Sequence, residues 1–190
     1  VCSSDLSTSK DSTRTLAVIE SDAKSVEKSV AALQETGDKS LFNEVTKTDE
    51  NGNKTTGYDT DAIYKAVKNF TDSYNSLIDE VGNSNTKSIL RAGASMVNVT
   101  EANRKSLSDI GISIGADNKL TIDEEKFKKT DMSKVKAMFA DSSYYGTEVK
   151  RQAGRAESYA KSEAAKANTY QKSGSYTYNY RTGELYNSTI

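Results

Sequence analysis

The sequence predicts a mostly α-helical protein: an elongated bundle of about four long helices, one short β-hairpin and an extended tyrosine-rich C-terminal tail. Three observations support this fold class. Apolar residues recur in alternating steps of three and four along several segments, which is the seam of packed helices. Proline is absent from all 190 residues, so no predicted helix is interrupted by it. Strand-like alternation of apolar and polar residues is clearest at residues 110–122 and near the C-terminus.

Two long helices are predicted in the first half of the chain. The first ends before Gly37, a helix stop signal, and the second begins with Asp59 or Thr60 as its cap and ends at Gly82. The seam of the first helix consists of Leu16, Ile19, Ala23, Val26, Val30 and Leu33. The seam of the second helix consists of Ile63, Val67, Phe70, Tyr74, Leu77 and Val81. Such narrow seams favour packing at shallow angles in a bundle.

Residues 41–58 form a polar excursion between these helices, predicted as a hairpin or a loose loop. Asn51-Gly52 is a turn signal typical of hairpins. Asp49, Asn51 and Asn53 have the spacing that begins a calcium loop, but Lys54 replaces the required glycine and Thr60 replaces the final glutamate. A protruding hairpin or loop is therefore favoured over a calcium site.

A third helix is predicted from the seam Ile89, Ala92, Met96 and Val99, with Leu107 as a further member. The last helix, at about residues 146–170, has a seam made almost entirely of alanine: Val149, Ala153, Ala156, Ala160, Ala164 and Ala167. Alanine favours the helix but buries little area. Two interpretations are open: a helix packed closely within this domain, or a surface left for a partner subunit.

A hairpin followed by short helices is predicted at residues 110–139. Ile110, Ile112 and Ile114 alternate with small residues, residues 115–118 form a polar turn, and Leu120 and Ile122 alternate again. Asp123 is a suitable helix N-cap, followed by two glutamates at the positive end of the helix. Apolar residues predicted to hold the short helices against the body are Phe127, Val135, Met138 and Phe139.

The C-terminal tail, residues 171–190, is rich in tyrosine. Tyr176, Tyr178 and Tyr180 share one face of a predicted extended strand, and Gly183 turns the chain toward Leu185 and Tyr186. One interpretation is a strand laid on the helical body. The other is a contact surface for a protein partner, formed by Tyr176, Tyr178, Tyr180 and Tyr186, because tyrosine supplies a large area with little entropy to lose.

Composition argues against several functional classes. The formal net charge of −1 argues against a nucleic-acid partner, and no apolar run is long enough to span a membrane. Histidine is absent, so no imidazole serves as a base or metal ligand. The sequence therefore predicts no enzyme activity, no cofactor and no metal site. Residues 1–6 match the peptide that a common sequencing adapter encodes, so the predicted division is an artefact at 1–6, a helical domain at 7–170 and the tail.

Four segments together resemble a known family. They read AVKNFTDSYNSL at 66–77, LSDIGI at 107–112, LTIDEEKF at 120–127 and VKAMF at 135–139. This order is similar to the C-terminal region of flagellar hook-associated protein 2, the filament cap, over roughly residues 60–155. In that family a long stalk helix follows, where this chain has its tyrosine-rich tail. The resemblance therefore indicates a cap-like relative that lacks the stalk helix.

The resemblance implies a non-catalytic, extracellular, flagellum-associated assembly protein. It implies export through the flagellar apparatus, self-association, and contact with flagellin or hook-junction subunits. The alternative is a non-flagellar bacterial surface or binding module that retains the bundle. A cytoplasmic adaptor is a third class.

Overall fold

The structure, a computed structural model, describes residues 9–48 and 52–167, and this part of the chain is mostly helical, as predicted. The helices are α1 (Thr13–Leu33), α2 (Thr60–Gly82), α3 (Lys87–Ala102), α4 (Arg104–Asp109), α5 (Glu124–Lys129), α6 (Met132–Phe139) and α7 (Tyr144–Ala167). The strands are β1 (Glu44–Thr48), β2 (Lys54–Tyr58), β3 (Ile112–Ile114) and β4 (Leu120–Ile122). They form two antiparallel hairpins, β1–β2 and β3–β4. The sequence predicts β3–β4 as a hairpin and the segment that contains β1–β2 as a hairpin or a loose loop.

The long helices share one core. Helix α1 packs against both α2 and α7, and α7 also packs against α3. Every predicted seam residue of α1 and α2 is buried. Helices α1 and α7 run antiparallel, since Gln34 after the end of α1 donates a hydrogen bond to Thr147 near the start of α7 (3.1 Å). Asp11 before α1 contacts Ser84 after α2, so α1 and α2 are antiparallel as well.

The alanine seam of α7 packs against other helices of the same chain. Val149, Ala153, Ala156 and Ala160 are buried, and the helix packs against α1 and α3. Gly154 leaves room for the Glu27 side chain of α1, whose Oε1 would lie 2.6 Å from an added Cβ. Small side chains therefore bring α7 near its neighbours, which fits the first of the two interpretations.

Three details differ from the sequence predictions. Leu107 is buried but belongs to the separate helix α4, because α3 ends where Asn103 Nδ2 donates to the Val99 carbonyl (2.8 Å). Phe42 is buried in the core, so the excursion leaves the body only after this residue. Helix α7 begins before Gly146 and contributes the buried ring of Tyr145.

Four aromatic rings join α2, α6 and α7. The Phe70 centroid lies 5.2 Å from Phe139 and 6.1 Å from both Tyr74 and Tyr145, and Phe139 lies 5.6 Å from Tyr145. The pairs that involve Phe139 or Tyr145 are edge-to-face, the favoured arrangement of aromatic quadrupoles. Thr100 of α3 lies beside this cluster, with Oγ1 3.4 Å from the Tyr145 hydroxyl. Three helices thus meet at one set of rings, and α3 borders it.

Asp11 fastens the start of α1 to the loop between α2 and α3. Its carboxylate is nearly buried and accepts hydrogen bonds from Ser84 Oγ (2.7 Å), Thr86 Oγ1 (2.6 Å), and the Asn85 backbone N–H (2.6 Å) and Nδ2 (3.2 Å). Burial alone would raise the pKa of Asp11, but these hydrogen bonds outweigh it, so the pKa lies below its ordinary value of 3.8.

Several predictions concern residues outside the described ranges. They are the adapter artefact at 1–6, the calcium-loop positions Asp49 and Asn51, the tail at 171–190 and its four tyrosines. The seam residue Ala167 ends α7, and its side chain is likewise outside the description.

Replacing Asp11 with alanine is expected to lower the free energy of unfolding by about 2–3 kcal/mol at pH 7, because the buried Ser84 and Thr86 hydroxyls lose a charged acceptor. The difference from wild type should shrink as the pH falls through the lowered Asp11 pKa, since a depressed carboxyl pKa stabilises the fold only above that range. Urea unfolding followed by circular dichroism at several pH values measures both effects. Asp38→Ala, at an exposed aspartate, is the matched control; an equal loss there would contradict the assignment.

Tyr74 is expected to make the fold sensitive to alkali. Burial raises the pKa of Tyr74 to about 12, although the nearby Thr100 hydroxyl acts in the opposite direction, and the Tyr74 hydroxyl makes no hydrogen bond of good geometry in the described part of the chain. The unfolded chain ionises this phenol near pH 10 while the folded chain keeps it neutral, so stability is full below pH 10 and falls by about 2–3 kcal/mol as the pH rises toward 12.

Tyr74→Phe should remove that part of the alkaline loss and should be neutral or slightly stabilising at pH 7, because an unpaired buried hydroxyl is removed. Urea unfolding between pH 7 and about pH 11.5 tests this. Tyr144→Phe, which removes the exposed phenol at the start of α7, is the control for the replacement itself. An unchanged pH profile in Tyr74→Phe would contradict the prediction.

Candidate assembly surface

The family-like segments converge where the β3–β4 hairpin meets α2. Asn75 on α2 donates from Nδ2 to the Leu120 carbonyl (2.8 Å) and accepts from the Leu120 backbone N–H at Oδ1 (2.7 Å). One side-chain amide thus pairs with β4 as a neighbouring strand would. Lys119 Nζ lies 2.7 Å from Asp79 of α2 and adds an ion pair at the hairpin turn. The hairpin is therefore held against α2 through both its backbone and its turn.

Gly111 gives the chain the bend that leads from α4 into β3. Its φ is +84°, a region that residues with a Cβ rarely adopt, and an added Cβ would lie 3.0 Å from the Phe127 backbone nitrogen. Its carbonyl also accepts a hydrogen bond from the Asp123 N–H (2.8 Å). Both the backbone angle and the close approach of α5 explain why a glycine stands here.

Asp123 caps α5 as predicted, accepting a hydrogen bond from the Lys126 N–H (2.9 Å). Farther along α5, Lys128 Nζ lies 2.7 Å from Asp61 of α2 and 2.7 Å from Glu124, and 5.2 Å from the centre of the Tyr64 ring. Hydrogen bonds with Asp61 and Glu124 raise the pKa of Lys128. Phe127 packs beneath, 5.8 Å from Tyr64. Helix α5 is thus held against α2 by an exposed ion pair between Lys128 and Asp61 and by the contact between the Phe127 and Tyr64 rings.

The β1–β2 hairpin has the opposite character, because it stands away from the core. Described side chains of β1 are exposed, and in β2 only Gly57 and Tyr58, next to α2, are half-buried. The facing hydroxyls of Thr46 and Thr56 lie 3.2 Å apart. Each strand has a single partner in the described ranges, so each leaves one edge without a strand neighbour.

Large apolar side chains are exposed at a few positions: Val45, Leu90, Tyr144 and Tyr159. Tyr144 is 71% exposed, whereas the adjacent Tyr145 is buried. Sequence reasoning did not select these residues, although the adjacent tyrosines at the start of a helix were a visible signal that one ring would face outward. The tyrosines it did select, Tyr176, Tyr178, Tyr180 and Tyr186, lie outside the described residues. The described part of the chain therefore does not test the predicted contact surface.

Clusters that could bind a metal ion are not found in the part of the chain that the structure describes. Within residues 9–48 and 52–167, no three acidic or cysteine side chains are grouped to hold a metal ion. The helices in the same ranges include none that is both long and apolar enough to cross a lipid bilayer. What this surface offers is shape, backbone edges and exposed side chains.

Asn75→Ala is expected to loosen the hairpin, at a cost of roughly 1–3 kcal/mol in unfolding free energy, because the Leu120 N–H and carbonyl lose their partner. Amide hydrogen exchange should show lost protection at Leu120 while the α1 core stays protected. Ser76→Ala, at the next and exposed position of α2, provides the comparison. Unchanged protection of Leu120 would contradict the role of Asn75.

A family model, Flagellar hook-associated protein 2 C-terminus, matches residues 83–189. The match confirms the resemblance but covers a different range from the one expected: it begins after the α2 segment at 66–77 and includes the tyrosine-rich tail. No curated protein and no solved structure matches the chain significantly. The matched residues make up more than half of the 190. The chain therefore belongs to the family of the flagellar hook-associated protein 2 C-terminus.

Proposed function

We propose that this chain is a structural subunit of flagellar filament-cap type, which acts through packing surfaces and carries no catalytic activity. It works outside the cell, at the flagellum, and assembles with copies of itself and with flagellin or hook-junction subunits. Its tyrosines at 176, 178, 180 and 186 belong to the surface that meets a protein partner. The family match over residues 83–189 is the observation that carries this proposal.

The architecture supports a role by shape. The core is built from long helix seams and an aromatic cluster, and the short hairpin carrying the family-like residues is fixed to α2 through Asn75 and Lys119. A rigid body of this kind presents surfaces at constant spacing, as a subunit of an assembly requires. The exposed Tyr144, Leu90 and Tyr159 supply apolar area of the kind enriched at protein interfaces.

A non-flagellar surface or binding module is the second candidate. The exposed β1–β2 hairpin favours it to the extent that a strand edge can bind many extended peptides. Binding to flagellar filaments separates the two candidates, since a module without a flagellar role has no reason to choose filament ends.

Two measurements on the full chain test the proposal. Sedimentation velocity should show a stable oligomer whose fraction grows with concentration. Gold-labelled protein mixed with purified flagellar filaments should be found by electron microscopy at filament ends rather than along their sides. A strict monomer at the highest soluble concentration, together with no preference for ends, would refute the cap-type function.

A further inference from the structure

We propose that the outer edge of β1 binds residues 175–180 of a second copy of this chain as an added antiparallel or parallel strand. This inference deepens the proposed assembly role and rests on it. It assigns one acceptor, the strand Glu44–Thr48, and one donor, the tyrosine-rich segment that follows α7 in the neighbouring copy.

The acceptor is a strand with an accessible backbone. The β1–β2 sheet has two strands in the described ranges, so alternate N–H and carbonyl groups of β1 point away from β2 without a strand neighbour. The side chains of Glu44, Val45, Thr46 and Thr48 are exposed, so no helix of the described part covers this strand. Strand β2 is the poorer acceptor because Gly57 and Tyr58 are half-buried beside α2.

An isolated two-stranded hairpin is only marginally stable in water, and a third strand is a common way to stabilise it. The five residues of β1 can pair with five of the six residues of the donor segment. The hairpin faces carry Val45, Thr46 and Thr56, which are β-branched. Aromatic side chains pair favourably with such residues across strands, by roughly 0.2–1 kcal/mol for each pair.

The donor has the composition of a strand. Tyr176, Tyr178 and Tyr180 alternate with Thr177 and Asn179, and tyrosine and threonine both favour strands. Strand addition of this kind takes its affinity from main-chain hydrogen bonds and its selectivity from alternate side chains. In this pairing the backbone of the donor provides the affinity, and the side chains of its tyrosine face provide the selectivity.

Distances within one copy disfavour pairing with its own hairpin. Helices α2 and α7 run parallel, since each is antiparallel to α1, and the ring of Phe70 in α2 lies 6.1 Å from that of Tyr145 in α7. At 1.5 Å per helical residue, the start of α2 lies about 15 Å from Phe70 in one direction along the bundle. Ala167 lies about 33 Å from Tyr145 in the opposite direction. The hairpin base next to Thr60 is thus about 48 Å along the bundle from the end of α7.

The residues between Ala167 and the donor segment are too few to span this distance, even when fully extended. From Ala167 to Tyr176 there are nine steps, which span at most about 32 Å. Tyr176 therefore falls short of the base of its own hairpin, and Tyr180, thirteen steps and at most about 47 Å from Ala167, falls short of it as well. A second copy placed end to end removes the difficulty, because its hairpin can approach the end of α7 directly.

Pairing of the end of one copy with the hairpin of the next is heterologous. Contacts of this type continue from subunit to subunit and either close into a ring or extend as a filament. The hairpin base and the end of α7 lie at opposite ends of the helical body, so each copy can give one strand and receive one.

Disulfide trapping in the full chain tests the pairing. The single native cysteine is removed by Cys2→Ser, and then Val45→Cys or Thr46→Cys is placed in one copy and Tyr178→Cys in the other. Val45 and Thr46 point to opposite faces of β1, so one of them shares the face of Tyr178. The matched control replaces the β1 cysteine with Ser158→Cys, at an exposed position on α7.

We expect the mixed disulfide to form at least about tenfold faster for one β1 variant than for the control, because pairing raises the local concentration of the two thiols. Equal rates for both β1 variants and the control would overturn the proposal. A chain carrying both cysteines that closes an intramolecular disulfide as a monomer would overturn the assignment to a second copy.

Sedimentation distinguishes the failure of this inference from the failure of the proposed function. An oligomer that forms without faster trapping retains the assembly role and refutes the strand. A chain that remains monomeric refutes the strand, and it refutes the cap-type function as well when it also shows no preference for filament ends. Replacing Thr177 and Asn179 with proline should abolish the fast trapping without changing the helical circular dichroism signal, because proline removes backbone donors from the segment.

Discussion

The meeting of Phe70, Phe139 and Tyr145 is the constraint on which the rest of the structure depends. These rings bring α2, α6 and α7 to one point, and α3 reaches the same point through Thr100. Because interiors are close-packed, large rings in edge-to-face contact leave each helix little freedom to slide. They therefore set the level of α7 against α2. That level decides how far the end of α7 lies from the β1–β2 hairpin.

The folded unit and the family match do not coincide. The match begins at residue 83, yet α1 and α2 precede it and supply much of the core around which α3 and α7 pack. Asp11 joins the two parts, because its carboxylate receives hydrogen bonds from Ser84, Asn85 and Thr86, at the first residues of the matched range. The helical segments before the match are thus structural partners of the family region. This explains why the family-like pattern at 66–77 contains both a buried ring, Tyr74, and the amide that holds β4, Asn75.

Much of the site could be predicted from the sequence, but only where neighbours in the chain decide it. The bend at Gly111, the cap at Asp123 and the alternation of Ile112, Ile114 and Leu120 are local matters of backbone angle, hydrogen bonding and period. The role of Asn75 was not accessible in this way, since its partner Leu120 lies 45 residues away. The polar excursion predicted at 41–58 includes Phe42 because most residues of that segment are polar, and the space that receives its ring exists only once the helices have packed. The same holds for Tyr145, whose burial depends on Phe70 and Phe139.

By itself the sequence determined the helices, their apolar seams, the β3–β4 hairpin and the family to which the chain belongs, because period, capping and turn chemistry act over a few residues. Only the tertiary structure decided that the alanine face of α7 packs inside this chain, that Asp11 is a buried anchor, and that the β1–β2 hairpin stands clear of the core. The physical reason is that burial and pairing depend on which surfaces meet. Alanine permits close approach to any helix, and a polar strand pairs with any free edge, so the choice among partners follows from packing around the rings.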